Sequence, residues 1–432
     1  MKVLIISHNP IETYQSIGKT MLSLFSSFKQ EELCQLYIYP TLPDIDRCQS
    51  YFRITDKDVL KSYYQFKVKG REIAKNEIDV NNHEMFEKAK DEVLYRNKKN
   101  KKPFRTLLRD TMWKYSHWCN ESLKNWIEEQ KPTCIFVAPG QAKFLYRIAL
   151  KLSKKYKLPI VSYICDEYYF VKKDPSFLGK IQQNTLKKTI KKLVKSSVGV
   201  VTICDELKEC YEKEFSIPTY TVMTGSNYPI AEYAHSVAEA KTLTYMGNIR
   251  CNRYTSLVEI GRALDKINQE KGTNFSLELY TAEKDEGILS SFDNIKSVKK
   301  CGFISGEAFE EKLHNAELLL HVEAFDKDSV ELVKHSVSTK IADSLGSGVC
   351  FFAYGPKMVA SMQHLIRNEC ALVCTDGKDL EDMLMKAFYD AESRGKIAEK
   401  ALETARKYHD SRCVSERLYT MITEWCGEDF TN

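Results

Sequence analysis

The sequence has little glycine and proline, 18 and 11 residues of 432, which excludes a collagen-like or low-complexity chain. It also lacks any run that approaches the roughly 20 consecutive apolar residues of a membrane-spanning helix. The formal net charge is only +5, so neither sign of charge dominates. With 43% hydrophobic and 28% charged residues, the composition is that of a folded globular protein whose length predicts two or three domains of about 100–200 residues.

The 14 cysteines lack the spacing of a disulfide framework or a zinc site. No CxxC motif occurs, and the nearest pair, Cys370 and Cys374, has no second pair or histidine at ligand spacing. Cys134 and Cys165 lie in apolar runs, where a free thiol behaves as a small hydrophobic side chain. The sequence therefore predicts reduced thiols, no metal and a cytoplasmic location. The apolar run Met1–Ser7 is too short for a secretion signal and predicts a buried strand.

Basic residues are concentrated in two stretches that contain no acid. Seven lie between Arg96 and Arg109, and six lie between Lys180 and Lys195. The second stretch carries apolar residues at helical spacing, which predicts an amphipathic helix with one basic face. Such a face fits a solvated surface, an anionic membrane or nucleic acid. Aromatic residues do not interleave the lysines as base stacking requires, so we expect no nucleic-acid partner and retain peripheral membrane contact as a hypothesis.

Short β-branched apolar runs alternate with longer helical stretches, which predicts α/β units around parallel sheets. In the first half the predicted strands are Val3–Ser7, Leu36–Tyr39, Thr133–Ala138, Ile160–Cys165, Gly199–Ile203 and Thr219–Met223. In the second half they are Thr242–Met246, Ser276–Tyr280, Ile295–Lys299, Leu318–Val322, Val349–Ala353 and Ala371–Val373. The predicted helices include Trp113–Glu129 and Ser256–Lys271.

This alternation predicts two tandem doubly wound, Rossmann-like domains that face a central cleft. The first domain spans residues 1–229 and the second spans 230–410, with a C-terminal helix at 411–432 that packs back on the first domain. Ligands are expected at the carboxyl ends of the strands of both sheets.

The first domain offers weak candidates for the acceptor side of such a cleft. Gly18 precedes Lys19 and Thr20 like the end of a P-loop, but Thr13 stands where the first P-loop glycine belongs. Gly18 is instead predicted to open a helix where a ligand approaches the backbone. His8 and Asn9 follow the first strand, where a loop hydrogen-bonding role and a ligand contact are equally plausible.

The second domain carries two segments suited to a phosphate. A strand ends at the glycine turn Gly247–Asn248 and is followed by Arg253 near a helix start, which together offer amides and a guanidinium. Further along, Ser338, Thr339 and Lys340 begin a predicted helix with Asp343 one turn later. Lys340 is suited to a phosphate and Asp343 to a ribose diol. The alternative is an N-capped core helix.

These segments, together with Val298–Glu307, resemble the donor domain of GT-B glycosyltransferases, in particular bacterial family 4 enzymes of cell-surface polysaccharide synthesis. The resemblance implies that Gly247, Asn248 and Arg253 hold the donor diphosphate. It also implies that Asp343 binds the ribose and that the base lies against the loop Gly302, Phe303 and Ile304. The likeness covers the second domain well and the first domain mainly by its order of strands and helices.

The resemblance also bears on the catalytic residues. Many family members have two glutamates seven residues apart, whereas here Asp343 takes the second position and His335 the first, with Glu331 one helical turn away. Many also carry a histidine after a strand of the first domain, where Asp166 is the corresponding carboxylate here. Asp166 and Glu331 are therefore the predicted catalytic residues.

The resulting prediction is a metal-independent, retaining glycosyltransferase without a cofactor that uses a nucleotide-diphosphate sugar, with uridine favoured over guanosine. Its acceptor is a glycan or a lipid-linked glycan. Two alternatives remain open on the sequence. One is a GT-B nucleotide-sugar epimerase or phosphorylase, and the other is an inactive GT-B subunit that binds a partner transferase.

Overall fold

Apolar runs rich in β-branched residues form strands whose side chains are almost all buried, as in sheets covered on both faces. The computed structural model describes residues 1–13, 16–65, 70–82, 103–170, 176–235 and 238–427. The chain divides into two units, residues 1–223 with 415–432 and residues 224–414. Each unit is built on one sheet.

The first unit contains an eight-stranded sheet in the order β4-β3-β2-β1-β5-β6-β7-β8. All neighbouring strands are parallel except β3 and β4, which are antiparallel. Its strands are β1 (Val3–Ser7), β2 (Leu33–Tyr37), β3 (Ser50–Arg53), β4 (Arg71–Ile73), β5 (Cys134–Ala138), β6 (Ile160–Ile164), β7 (Gly199–Thr202) and β8 (Thr219–Thr221). Its helices are α1 (Ser16–Leu24), α2 (Asp56–Gln65), α3 (Pro103–Tyr115), α4 (Glu121–Gln130), α5 (Lys143–Tyr156), α6 (Phe177–Lys195) and α7 (Asp205–Phe215).

The second unit contains a six-stranded, entirely parallel sheet in the order β11-β10-β9-β12-β13-β14. Its strands are β9 (Thr242–Met246), β10 (Ser276–Tyr280), β11 (Val298–Gly302), β12 (Leu318–Val322), β13 (Phe351–Tyr354) and β14 (Leu372–Cys374). Its helices are α8 (Arg253–Lys271), α9 (Glu286–Leu289), α10 (Gly306–Asn315), α11 (Lys327–Val333), α12 (Thr339–Gly346), α13 (Ala360–Arg367), α14 (Leu380–Tyr389) and α15 (Ala391–Tyr408). The last helix, α16 (Ser411–Cys426), lies mainly in the residues that complete the first unit.

A pair of buried histidines joins the start of the second unit to its end. Nδ1 of His409 lies 2.9 Å from the carbonyl oxygen of Thr224, and its Nε2 lies 3.0 Å from Nε2 of His364. The amide of Ser226 donates to the carbonyl of His409 at 2.7 Å. These bonds place residues 224–229 in the second unit, whereas the sequence pattern assigned them to the first.

The α/β prediction with two Rossmann-like sheets is confirmed, but several elements differ. The predicted helix Trp113–Glu129 is two helices, because Asn120 caps a new one by accepting from the amide of Leu123. Strands β3 and β4 were not predicted, and β11 begins three residues after the predicted start at Ile295. Within the described ranges, no helix is both long and apolar enough to cross a membrane.

The basic helix predicted at Lys180–Lys195 is α6. Leu186, Ile190 and Leu193 are buried on its inner face, whereas Ile181 is exposed. The other basic stretch falls partly on α3. Its residues Arg96, Lys98, Lys99, Lys101 and Lys102 lie outside the described residues.

Candidate active site

A cavity of about 260 Å³ opens in the second unit where β9, β10 and β11 end. Five predicted site residues line it: Gly247, Asn248, Phe303, Ile304 and Lys340. The other lining residues are Met246, Arg250, Tyr280, Thr281, Ala282, Glu283 and Phe309. The fold thus brings together predicted site residues that are nearly a hundred positions apart in the sequence.

Strand register aligns the residues on this edge of the sheet. Met246 is paired with Tyr280, and Tyr280 is paired with Gly302. A side chain at Gly247 would place its Cβ 3.1 Å from the hydroxyl oxygen of Tyr245, so the turn has little room for any other residue. Gly302 has a φ of +79°, a conformation that favours glycine. Gly247 therefore exposes backbone to the cavity, whereas Gly302, a predicted base-binding residue, ends β11 without lining it.

Lys340 lies in the first turn of α12, as predicted. Ser338 caps this helix, and its Oγ accepts from the amide of Lys340 at 3.4 Å. Nζ of Lys340 lies 3.9 Å from the centroid of the Phe309 ring, within the range of a cation–π contact. The lysine and the amino end of the helix both bring positive charge to this side of the cavity.

Arg253 forms a buried ion pair that the sequence analysis missed. Its Nε and Nη2 donate to the two carboxylate oxygens of Glu323, at 2.9 and 3.0 Å. Nε2 of His321 lies 3.3 Å from Oε1 of Glu323, without hydrogen-bond geometry. Burial raises the pKa of Glu323, but His321 and Arg253 outweigh it and the net pKa is lowered. Burial alone would lower the pKa of the Arg253 guanidinium. The charge of Glu323 and its hydrogen bond together outweigh burial, so the net pKa is raised.

Arg253 lies at the start of a helix, held by this ion pair. Arg253 begins α8 after Cys251 and Asn252, whose positive φ angles of 56° and 55° turn the chain out of β9. It is not among the residues that line the cavity, and its charge is balanced by Glu323. Direct contact of Arg253 with a diphosphate therefore remains a prediction.

A second pair, Arg250 and Glu283, does line the cavity. Nε of Arg250 donates to Oε2 of Glu283 at 2.9 Å, and this bond lowers the pKa of the Glu283 carboxyl. More than half of the Arg250 side chain is exposed, so it is available to a ligand. Both residues follow strand ends, β9 and β10, and that position was the only sequence signal for them.

Asp343 is buried one turn into α12. Its Oδ1 accepts from the amide of Asn227 at 2.9 Å and lies 3.4 Å from Oγ of Ser226. The carboxylate thus fixes the loop that begins the second unit. The ribose-binding role of Asp343 stays a prediction, and a structural role for it is visible in the fold.

The other predicted catalytic position in this unit is Glu331. It lies on an exposed face of α11 and does not line the cavity. His335, which the sequence comparison placed at the first glutamate position, is partly buried, and burial together with Lys334 lowers its pKa. The catalytic role of Glu331 remains a prediction.

The predicted acceptor-side residues lie at the carboxyl edge of the sheet of the first unit. Nε2 of His8 lies 3.3 Å from Nη2 of Arg109, and its Nδ1 lies 3.2 Å from Oδ1 of Asn9. Because arginine only donates, Nδ1 carries the proton and donates to Asn9. Arg109 is held in turn by Asp56, with its Nη2 2.9 Å from Oδ2. Gly18 packs so closely on Glu12 that a Cβ would lie 2.2 Å from its Cγ.

Asp166 follows β6 at the same edge. Its Oδ2 accepts from the hydroxyl of Tyr168 at 2.7 Å. The tyrosine is largely buried, and burial with the nearby Asp166 charge raises the pKa of its phenol. The hydroxyl therefore stays protonated and orients the carboxylate.

Among the described residues, no group of three His, Cys, Asp or Glu side chains is placed to hold a metal ion. The prediction of metal-independent chemistry remains a prediction.

No protein-family model matches the sequence, and no curated protein matches it significantly. Solved structures match along the whole chain. HepE from Anabaena, in complex with UDP and glucose, has a TM-score of 0.62 at 10% identity, covering 98% of this chain and 100% of that one. Sucrose-phosphate synthase from Thermosynechococcus elongatus has a TM-score of 0.60 at 13% identity, covering 98% and 99%.

WaaG, a glycosyltransferase involved in lipopolysaccharide biosynthesis, has a TM-score of 0.56 at 14% identity, covering 98% of this chain and 99% of that one. The chain has the GT-B fold. The sequence resemblance to GT-B enzymes is thus confirmed at the level of the fold, over both units. The cavity beside Lys340 lies in the second, C-terminal unit of this fold.

Proposed function

We propose that this chain is a glycosyltransferase that moves a sugar from a UDP-sugar to a glycan or lipid-linked acceptor in cell-surface polysaccharide synthesis. The observation that carries the proposal is the cavity of the second unit, where the Gly247 turn, the loop at Phe303 and the start of α12 with Lys340 converge. Backbone amides, a cation and a helix amino end suit a diphosphate. The HepE structures with UDP and UDP-glucose support a nucleotide-sugar donor.

In this proposal the base lies against Phe303 and Ile304, and the diphosphate lies toward Gly247 and Lys340. As the bond between sugar and diphosphate breaks, negative charge grows on the leaving UDP. Lys340, the amides at the start of α12 and the exposed Arg250 stabilise that charge. Arg253 contributes less, because Glu323 already balances it. Retention of anomeric configuration is proposed from the resemblance alone.

The first unit is proposed to bind the acceptor. Asp166 follows β6 and is oriented by Tyr168, so its carboxylate is suited to hold or deprotonate an attacking hydroxyl. Asp166→Asn should lower turnover by at least about a hundredfold while leaving UDP affinity unchanged. Tyr168→Phe, which keeps the carboxylate and removes the hydrogen bond from the tyrosine hydroxyl, should lower turnover less. Near-normal turnover of Asp166→Asn with a competent acceptor would contradict this role.

The function is tested by incubating the purified chain with a panel of UDP-, GDP- and ADP-sugars, with and without glycan acceptors, and measuring nucleotide release. Release of UDP that increases when an acceptor is added supports a transferase. Epimerisation of the donor without release would support an epimerase, and a requirement for inorganic phosphate would support a phosphorylase. Nucleotide binding without turnover of any donor would support the inactive-subunit alternative.

A further inference from the structure

Three neighbouring helices of the first unit expose large apolar side chains. Helix α3 contacts both α2 and α6, and the hydroxyl of Tyr63 on α2 donates to the carbonyl of Met112 on α3 at 2.6 Å. The exposed apolar residues on the three helices are Leu60, Tyr63, Tyr64, Phe104, Leu108, Tyr115, Phe177, Leu178 and Ile181. Tyr64 is 85% exposed and Phe177 is 78% exposed, so the described part of the chain leaves these two side chains largely uncovered.

The exposed face of α6 combines apolar and basic residues along one stripe. Phe177, Ile181, Lys188 and Lys192 follow one another at spacings of four and seven residues, which places them on the same side of the helix. All four are exposed. The apolar end of the stripe is the amino end of α6, and the lysines continue it toward the carboxyl end. This arrangement is that of a helix that lies on a membrane surface.

The three helices themselves carry little exposed acidic charge, although α7, which contacts α6, exposes Glu209, Glu212 and Glu214. Helix α6 contains no acidic residue. On α3 the sole acid, Asp110, is buried and forms an ion pair with Lys143 at 3.1 Å. On α2, Asp56 is buried and pairs with Arg109. The exposed face of the three helices is therefore apolar and positively charged, apart from the partly exposed Asp58 on α2.

The same face adjoins the edge of the sheet where the acceptor is proposed to bind. Helix α6 follows β6, so its amino end and the exposed Phe177 lie on the side of the carboxyl edge. Helix α3 reaches that edge too, since Arg109 lies 3.3 Å from His8. An acceptor held at a lipid surface would thus be presented close to His8 and Asp166.

We propose that the exposed face of α2, α3 and α6 docks on an anionic lipid bilayer, with aromatic and aliphatic side chains entering the headgroup layer and the lysines of α6 contacting anionic headgroups. Lysine is depleted at protein–protein interfaces, so the lysine stripe favours a bilayer over a protein partner. A membrane-docked face would deepen the proposed function by presenting a lipid-linked acceptor. Only the link to that acceptor rests on the proposed function, whereas the docking surface itself does not.

The test is co-sedimentation of the full chain with vesicles of phosphatidylcholine alone or mixed with phosphatidylglycerol, at low and high salt. The wild type should bind the anionic vesicles and not the neutral ones. The triple variant Lys188→Gln, Lys191→Gln, Lys192→Gln should bind about a hundredfold more weakly, since each lysine near an anionic leaflet is worth roughly fivefold. The matched control, Lys271→Gln, Lys296→Gln, Lys378→Gln in the second unit, should bind like the wild type.

The apolar contribution is tested by the double variant Phe104→Ser, Phe177→Ser, which should bind about tenfold more weakly even where salt screens the lysines. UDP binding is measured on the same samples and should not change in any variant, which separates this inference from the donor site. No binding to anionic vesicles at low salt, or equal losses in the control triple variant, would overturn the proposal. Concentration-dependent self-association that the Phe104→Ser, Phe177→Ser variant abolishes, without vesicle binding, would overturn it in favour of a protein interface.

Discussion

Arg253 and Glu323 form a two-point ion pair, with Nε–Oε2 and Nη2–Oε1 distances of 2.9 and 3.0 Å, at the ends of α8 and β12 that face each other in the second unit. The Glu323 side chain is only 2% exposed and that of Arg253 is 19% exposed. Removal of one partner leaves a buried charge without compensation, which is more costly than removal of both.

A double-mutant cycle tests this coupling. Arg253→Ala and Glu323→Ala should each lower the free energy of unfolding by about 3–5 kcal/mol, and the double variant should lose much less than their sum. The measurement is urea unfolding followed by fluorescence. Lys266→Ala is the matched control, because Lys266 lies on the same helix and its pair with Glu381 is largely exposed on both sides, so the free energy of unfolding should change little. Additive losses at Arg253 and Glu323 would contradict the coupling.

Lys340 is expected to contribute most of the cationic contact with the donor diphosphate. Lys340→Ala should weaken UDP binding by about 1.5–3 kcal/mol, the range for charge-assisted hydrogen bonds, whereas Lys340→Arg should retain part of the affinity. The exposed Lys357 of the same unit provides the control, and Lys357→Ala should bind UDP like the wild type. Equal UDP affinity in the wild type and Lys340→Ala, measured by titration calorimetry, would remove Lys340 from the site.

Asp343 has two separable roles to test, ribose binding and support of the Asn227 loop. If the ribose prediction is right, Asp343→Asn lowers UDP affinity but leaves pyrophosphate affinity nearly intact. Asn227→Ala disturbs only the loop side of the contact and should lower stability without that selectivity. Parallel losses of UDP and pyrophosphate binding in Asp343→Asn would assign the residue to the fold instead.

The His364–His409 pair predicts an acid-sensitive second unit. Because the carbonyl of Thr224 only accepts, Nδ1 of His409 carries the proton, and Nε2 of His364 must donate to Nε2 of His409. Burial lowers the pKa of His409 from 6.5 to about 4. Burial, with the positive charges of His409 and Arg367, also lowers the pKa of His364.

Between pH 6.5 and about 4 the unfolded chain binds more protons than the folded one, so the free energy of unfolding falls as the pH falls. The loss attributable to His409 is on the order of 3 kcal/mol across that window. Urea unfolding at pH 7, 6 and 5 should record the slope, and His409→Gln should flatten it. An unchanged slope in His409→Gln would mean that other groups cause the pH dependence.

Much of the fold is predictable because buried parallel strands are continuous apolar runs. Thr242–Met246, Ser276–Tyr280 and Leu318–Val322 are strands at the predicted residues. Strand β4, Arg71–Ile73, is a three-residue edge strand with two exposed charged residues, and no hydrophobic pattern marks it. The break between α3 and α4 has neither glycine nor proline, so only the capping Asn120 signalled it.

Residues that line the cavity were predictable where they directly follow a strand or begin a helix, as Gly247, Phe303 and Lys340 do. The Arg253–Glu323 pair was not, because it depends on β9 lying beside β12 in the sheet. Two residues separated by 70 positions meet only through that strand order. The sequence periodicity identifies the strands but does not order them.

Titration calorimetry of the purified chain with UDP tests most directly whether the cavity beside Lys340 binds the nucleotide part of a sugar donor. We expect one site per chain with a dissociation constant between about 1 μM and 1 mM, the usual range for enzyme substrates. Binding should be stronger for UDP than for uridine, because the diphosphate contacts Lys340 and the start of α12. If the folded protein binds none of UDP, GDP and ADP, the cavity is not a nucleotide site.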